Sequence, residues 1–209
     1  MKFAKEMELE IQNGESAFRK RFLEKLTILK ALNYNYTGQH QKAIGLLMAF
    51  KNDSLDVKLL ITMCLFQQND FSEAYRIIKK LNHSDTWYEK KMGWIWVVKK
   101  NLIEILLLTE LDKLDLVLLR LQQFKRKFSK QLQAKGEERV LTFVKLISSY
   151  YEKPGQVLSQ EFKESVENSF DWLGAAQEDI FVMSFYAWLK AKMEDENIYG
   201  VTLKLVGQR

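Results

Sequence analysis

The side chains that most often carry enzymatic chemistry are few and scattered in this 209-residue chain: two histidines, His40 and His83, and one cysteine, Cys64. A nucleophile or general base needs a partner that tunes its pKa and a further group that orients it. Cys64 lies inside the apolar run 55–68 with no histidine at a useful spacing, so it reads as a small core hydrophobe. His40 stands where an aromatic packs against a helix pair, and His83 falls in the polar turn Asn82-His83-Ser84-Asp85, facing water. The carboxylate pairs Glu137-Glu138 and Glu178-Asp179 fall at expected helix starts, where negative charge complements the helix dipole. There is no phosphate loop, dinucleotide fingerprint or metal-ligand pair, so no metal site, cofactor or turnover is expected.

Two other sets of residues invite chemistry. Arg120, Lys125, Arg126, Lys127, Lys130 and Lys135 gather around Phe124 and Phe128, with no acid among them before Glu137. Such a stretch can contact phosphates or an acidic peptide, and it equally forms a solvated helix face whose cations complement a helix C-terminus. The tryptophans Trp87, Trp94, Trp96, Trp172 and Trp188 could build a ligand cage, but helical spacing among other apolar residues favours core.

The elements that must position these residues are helices. With 47% hydrophobic residues the chain can bury a substantial core, and one proline and nine glycines leave little of the punctuation that sheets need at their turns. The net charge of +5 comes from 32 basic residues against 27 acidic ones, a mixed surface. A lone cysteine forms no intramolecular disulfide, which fits a reducing cytoplasm. Residues 1–12 alternate Lys and Glu with isolated apolar residues, unlike a secretory signal. The most apolar stretch, 92–111, carries Lys99, Lys100, Asn101 and Glu104, which argues for a buried helix and against membrane insertion.

Apolar residues recur at helical spacing from Phe18 through Phe22, Leu26, Leu29 and Leu32 to Tyr36, and Gly38 supplies the stop. Residues 55–68 are again periodic, Asn69-Asp70 makes a turn, and 71–81 return, with Asp70 and Glu73 spaced as a capping box. A 31-residue offset superposes the two units, pairing Gly38 with Asn69, His40 with Phe71, Ala43 with Ala74 and Leu47 with Ile78. The predicted order is two short pairs, 15–51 and 54–82, then two longer ones, 86–133 and 137–170, and a capping helix with tail over 177–209, all in one domain. Thr86 with Glu89 is expected to open the helix 86–109, and Pro154 the helix 154–170.

The segments Asn35-Tyr36-Thr37-Gly38-Gln39-His40-Gln41-Lys42-Ala43-Ile44 and Gln67-Gln68-Asn69-Asp70-Phe71-Ser72-Glu73-Ala74-Tyr75 resemble the turn and second helix of tetratricopeptide repeats. The resemblance covers about residues 20–85, lacks the family's closing proline, and has a 31-residue offset against the usual ~34. The segment 178–193 resembles the C-terminal ends of bacterial helical-repeat proteins. The fold implied is all-α, a right-handed α-α superhelix of helix pairs. The function implied is a non-catalytic scaffold that binds a protein or peptide in a concave groove lined by the first helix of each pair.

Carried onto this chain, the groove positions are Lys25, Ile28, Leu32, Asn35 and Tyr36 in the first unit, and Asp56, Leu59, Met63, Phe66 and Gln67 in the second. Asn35 and Gln67 are expected to read partner backbone amides, with alanine there weakening capture but not folding. The alternative is a nucleic-acid-associated or regulatory module using the basic helix 120–135. Self-association through an end of the stack is a further expectation.

Overall fold

Five turns between helices close in one way. Gly38, Asn69, Asp112, Gly136 and Asp195 take left-handed backbone conformations, with φ of 80°, 60°, 54°, 71° and 53°. The amide after each donates to the carbonyl five residues back: Gln39 to Tyr34 at 2.8 Å, Asp70 to Leu65 at 3.0 Å, Lys113 to Leu108 at 3.0 Å, Glu137 to Leu132 at 2.9 Å and Glu196 to Ala191 at 3.0 Å. This Schellman closure satisfies an orphan carbonyl and reverses the chain within a few residues, so the next helix returns alongside the last.

The computed structural model describes residues 2–13, 16–51, 53–169 and 178–207. Among them are α1 (Lys2–Asn13), α2 (Ser16–Tyr36), α3 (His40–Met48), α4 (Leu55–Gln67), α5 (Phe71–Ile78), α6 (Asp85–Met92) and α7 (Trp94–Glu110). Then come α8 (Leu114–Ala134), α9 (Glu138–Glu152), a 3₁₀ turn (Pro154–Leu158), α10 (Gln160–Ser169), α11 (Ile180–Glu194) and α12 (Ile198–Gly207). The described residues form an all-α fold without strands. Trp172, Phe170 and Gln177 lie outside the described residues, as does the side chain of Phe18.

Two expected helices are divided. Residues 86–109 form two helices because Gly93, at φ 87° and ψ 160°, breaks the backbone between them. Ser84, not Thr86, caps α6, accepting the Trp87 amide at 3.2 Å. Beyond Pro154 the chain makes only a 3₁₀ turn, and Ser159 then caps α10 by accepting the Phe162 amide at 3.2 Å. Asp70 caps α5 as its spacing with Glu73 predicts, accepting the Glu73 amide at 3.2 Å.

Consecutive helices pair: α2 with α3, α4 with α5, α6 with α7, α7 with α8, α8 with α9 and α11 with α12. Ala43 and Ala74 are fully buried, so their small side chains lie within the packed pairs. Helices α4, α7 and α11 are buried on nearly every side, as expected of helices that are apolar all round. They touch through α4 against α7 and α4 against α11, and α12 covers both α2 and α4. At one end Lys99 of α7 pairs with Asp179, the N-cap of α11. At the other, Glu110 of α7 accepts Trp188 Nε1 at 2.7 Å and Lys192 Nζ at 2.9 Å. These bridges make α7 and α11 run in the same direction. One apolar cluster therefore extends from Ala31 to Leu205, and a small separate one joins Ile11 of α1 to Leu26 of α2.

Asp195 carries two local penalties: a left-handed backbone on a residue with a Cβ, and a negative charge at a helix C-terminus. Asp195→Gly is expected to raise stability by about 1 kcal/mol in urea denaturation, because it removes both. A lowered midpoint would show that the aspartate has a role beyond closing the turn.

Candidate partner-binding cleft

The ten groove positions divide into an inner and an outer set. Helices α11 and α12 lie over the inner one. Asn35, Met63, Phe66 and Gln67 are fully buried. Asn35 Nδ2 donates to Gln67 Oε1 at 2.7 Å, Gln67 Nε2 donates to Ser184 Oγ on α11 at 2.8 Å, and that hydroxyl donates to the Ile180 carbonyl at 2.6 Å. From α12, the Tyr199 hydroxyl donates to the Asn35 carbonyl at 2.6 Å, and its ring meets His40 edge-on at 5.0 Å. The expectation that Asn35 and Gln67 present amides to a partner is thus corrected: both are buried, Asn35 Nδ2 donates to Gln67, and Gln67 Nε2 donates to the chain's own hairpin. Tyr36 is half-buried beside them, and loss of solvation raises its phenol pKa above the ordinary value, with Cys64 and Asp179 adding to the rise.

The outer set, apart from the buried Leu59, remains open. Ile28, Leu32, Asp56 and Leu59 line a cavity of about 360 Å³ with Met92, Ile95, Trp96 and Phe181. A second cavity of about 240 Å³ continues from it along α7, α9 and α11, lined by Val98, Leu102, Val140, Phe143, Val182 and Phe185. Ile95, Lys99, Asp179 and Phe181 belong to both, so the two are halves of one apolar cleft crossed by the Lys99–Asp179 ion pair. Trp96 Nε1 donates to Asp56 Oδ1 at 3.0 Å at one end. Desolvation raises the Asp56 pKa against that hydrogen bond. At the other end Arg139 bonds Glu178 at 3.0 Å. Lys25 is exposed, its ammonium 5.8 Å from the Phe22 ring centre.

The helix Trp94–Glu110 contributes both to this cleft and, through its other face, to a charge network that the sequence reading missed. Lys100 and Glu104 are buried one turn apart. Lys100 Nζ lies 3.0 Å from Asp85 and 4.0 Å from Glu104, Arg120 lies 3.0 Å from Glu104, and Lys127 lies 3.3 Å from Asp85. Burial acts to raise the Asp85 pKa, but Lys100, the Asn101 amide and Lys127 together hold it below the ordinary carboxylate value. Two residues of the expected basic patch, Arg120 and Lys127, are therefore neutralised within the fold. Lys125 donates to Ser148 at 3.3 Å. Arg126, Lys130 and Lys135 are exposed, and Phe124 and Phe128 are core. The i, i+4 spacing of Lys100 and Glu104 was the available signal, since two charges on one turn of an apolar helix need partners.

The remaining chemistry-bearing residues have packing roles. Cys64 is fully buried, and desolvation pushes its thiol pKa up to about 12. His83 stacks on Trp87, with ring centres 4.0 Å apart. Trp96 and Trp188 are core, whereas Trp87 is exposed and Trp94 half-buried. Among the described residues no helix is long and apolar enough to cross a membrane. Compared with known proteins, the chain matches no family model, no curated protein and no solved structure.

Gln67→Ala strands the buried Asn35 Nδ2 and takes from the Ser184 hydroxyl the donor it accepts, leaving it bonded to the Ile180 carbonyl alone. It is expected to lower unfolding stability by about 2–3 kcal/mol, since two buried polar groups lose a partner at once. The measurement is the urea midpoint at unchanged slope, and an unaltered midpoint would place Gln67 in solvent.

Proposed function

We propose that this chain is a non-catalytic helical-repeat scaffold, tetratricopeptide-like in plan, that binds a segment of a protein partner in the apolar cleft between α2, α4, α7, α9 and α11. The observation that carries this reading is the cleft itself, an apolar trough with charged residues at its crossing and rim. Apolar side chains of a partner would gain burial along it, while the Lys99–Asp179 pair across it and the Arg139–Glu178 pair at its end would limit where a partner's polar groups can sit. Ile95 is 40% exposed at the junction of the two cavities, the position where an anchoring side chain would lose most water.

The repeat's usual groove is only half used in this account. Its inner positions hold the α11–α12 hairpin and its outer positions, Ile28, Leu32, Asp56 and Leu59, join the cleft. The basic helix supports a nucleic-acid reading less well, because Arg120 and Lys127 are already paired with carboxylates.

A photo-crosslinking residue at Ile95, with a control at the exposed Leu9, tests this in extract of the native cell. A discrete protein adduct is expected from position 95 alone, and Leu32→Glu is expected to reduce it by about ten-fold, the loss of one anchoring contact. Equal adducts from both positions, or adduct yield unaffected by Leu32→Glu, would remove the cleft as the binding site.

A further inference from the structure

Helix α8 leaves four leucines in water within two turns: Leu114, Leu116, Leu118 and Leu119 are 52%, 42%, 45% and 48% exposed. Its inner face is filled by Val117, Leu121, Phe124, Phe128 and Leu132, so these leucines are not part of the core. Helical geometry sets Asp115, Leu119, Gln122, Arg126 and Lys130 along the outward line. That line is ordered by charge. Asp112 and Asp115 stand at its start and Arg126 and Lys130 at its end, all exposed and without an ion pair among the described residues. Arg120 and Lys127, which could have blurred this order, are turned aside to Glu104 and Asp85.

We propose that the outer face of α8 pairs with the same face of a second copy of this chain, the two helices antiparallel about a two-fold axis. An acidic partner would satisfy Arg126 and Lys130 but would be repelled by Asp112 and Asp115 on the same face. A copy inverted end to end satisfies all four. Asp115 meets the second copy's Arg126, and Asp112 approaches its Lys130. Both pairings are centred at the same place, beside Arg120 and Leu121, so one axis serves them together. Leu119 lies opposite Gln122 close to that axis, and Leu118, opposite Gln123, stands at the edge of the contact. A parallel arrangement would set acid against acid and base against base. The contact is isologous and closes on itself, ending at two copies. It is a single helix face, smaller than the roughly 800 Å² per partner of a stable complex, so dissociation constants in the micromolar range are expected.

Sedimentation velocity on the full chain, from about 1 to 200 μM, reads this directly, spanning the range in which a micromolar dimer forms. Association to a dimer is expected, weakened about ten-fold or more by Asp115→Arg or by Arg126→Asp alone, which replace two attractions with two repulsions. Mixing the two single variants is expected to recover the dimer, because one copy then carries two cations and the other two anions at the contact. Leu119→Lys is expected to weaken it about as much as either charge reversal. All these positions are solvent-exposed, so each variant should stay folded when monomeric, Asp115→Arg with a slightly lower thermal midpoint because it removes an acid from the first turn of α8. A chain that stays monomeric at the highest concentration overturns the proposal. So does a dimer indifferent to Asp115→Arg, or a mixture of the two variants that fails to associate.

Discussion

Helix α4 has no polar face to offer water: from Leu59 to Gln67 every residue is buried. A helix of that kind is stable only when covered on every side, and its own pair partner α5 covers one. The preceding pair packs on it through α2 and α3, the following pair through α7, and α11 and α12 close the remaining side. Much of the architecture follows from that requirement. The C-terminal hairpin lies across the first two helix pairs, with α12 on α2 and α4 and α11 on α4, and closes the side that those pairs leave open.

The cover is specific as well as apolar. A purely apolar seam between α4 and α11 would tolerate sliding, whereas the bonds from Asn35 Nδ2 to Gln67 and from Gln67 to Ser184 form in one register only. Tyr199 adds a second fixed point by donating to the Asn35 carbonyl. Glu110 does the same at the far end, taking Trp188 and Lys192 together. Where this cover ends, at the N-terminus of α11, Ile28, Leu32 and Asp56 stay accessible and run into the apolar cleft. The position of the proposed binding site is thus a consequence of where the hairpin stops.

Local features of the sequence were the most legible. The 3.6-residue periodicity marked the helices, and Gly38, Asn69 and Asp70 marked turns, because these depend on neighbouring residues alone. Gly93 was passed over as a helix breaker, since a lone glycine in an apolar run costs a helix only about 1 kcal/mol and its positive φ is set by how α6 meets α7. The groove residues had the composition of a binding surface, amides beside aromatics, and a buried polar seam has the same composition. Nothing local distinguishes the two. What decides is which distant segment packs on them, and Ser184 and Tyr199 lie more than a hundred residues away. The basic patch misled for a similar reason: its counter-charges, Asp85 and Glu104, are on other helices.

The C-terminal hairpin is an integral cover of the first two helix pairs, and hydrogen exchange of the intact chain measures that. The amides of α4 and of α11–α12 are expected to share one high protection level and to lose it together as urea is added, because each is buried only in the presence of the other. If α12 and the adjoining part of α11 exchange orders of magnitude faster than α4, with α4 protection unaffected, the hairpin is not the cover, and the inner groove positions are closed by something else.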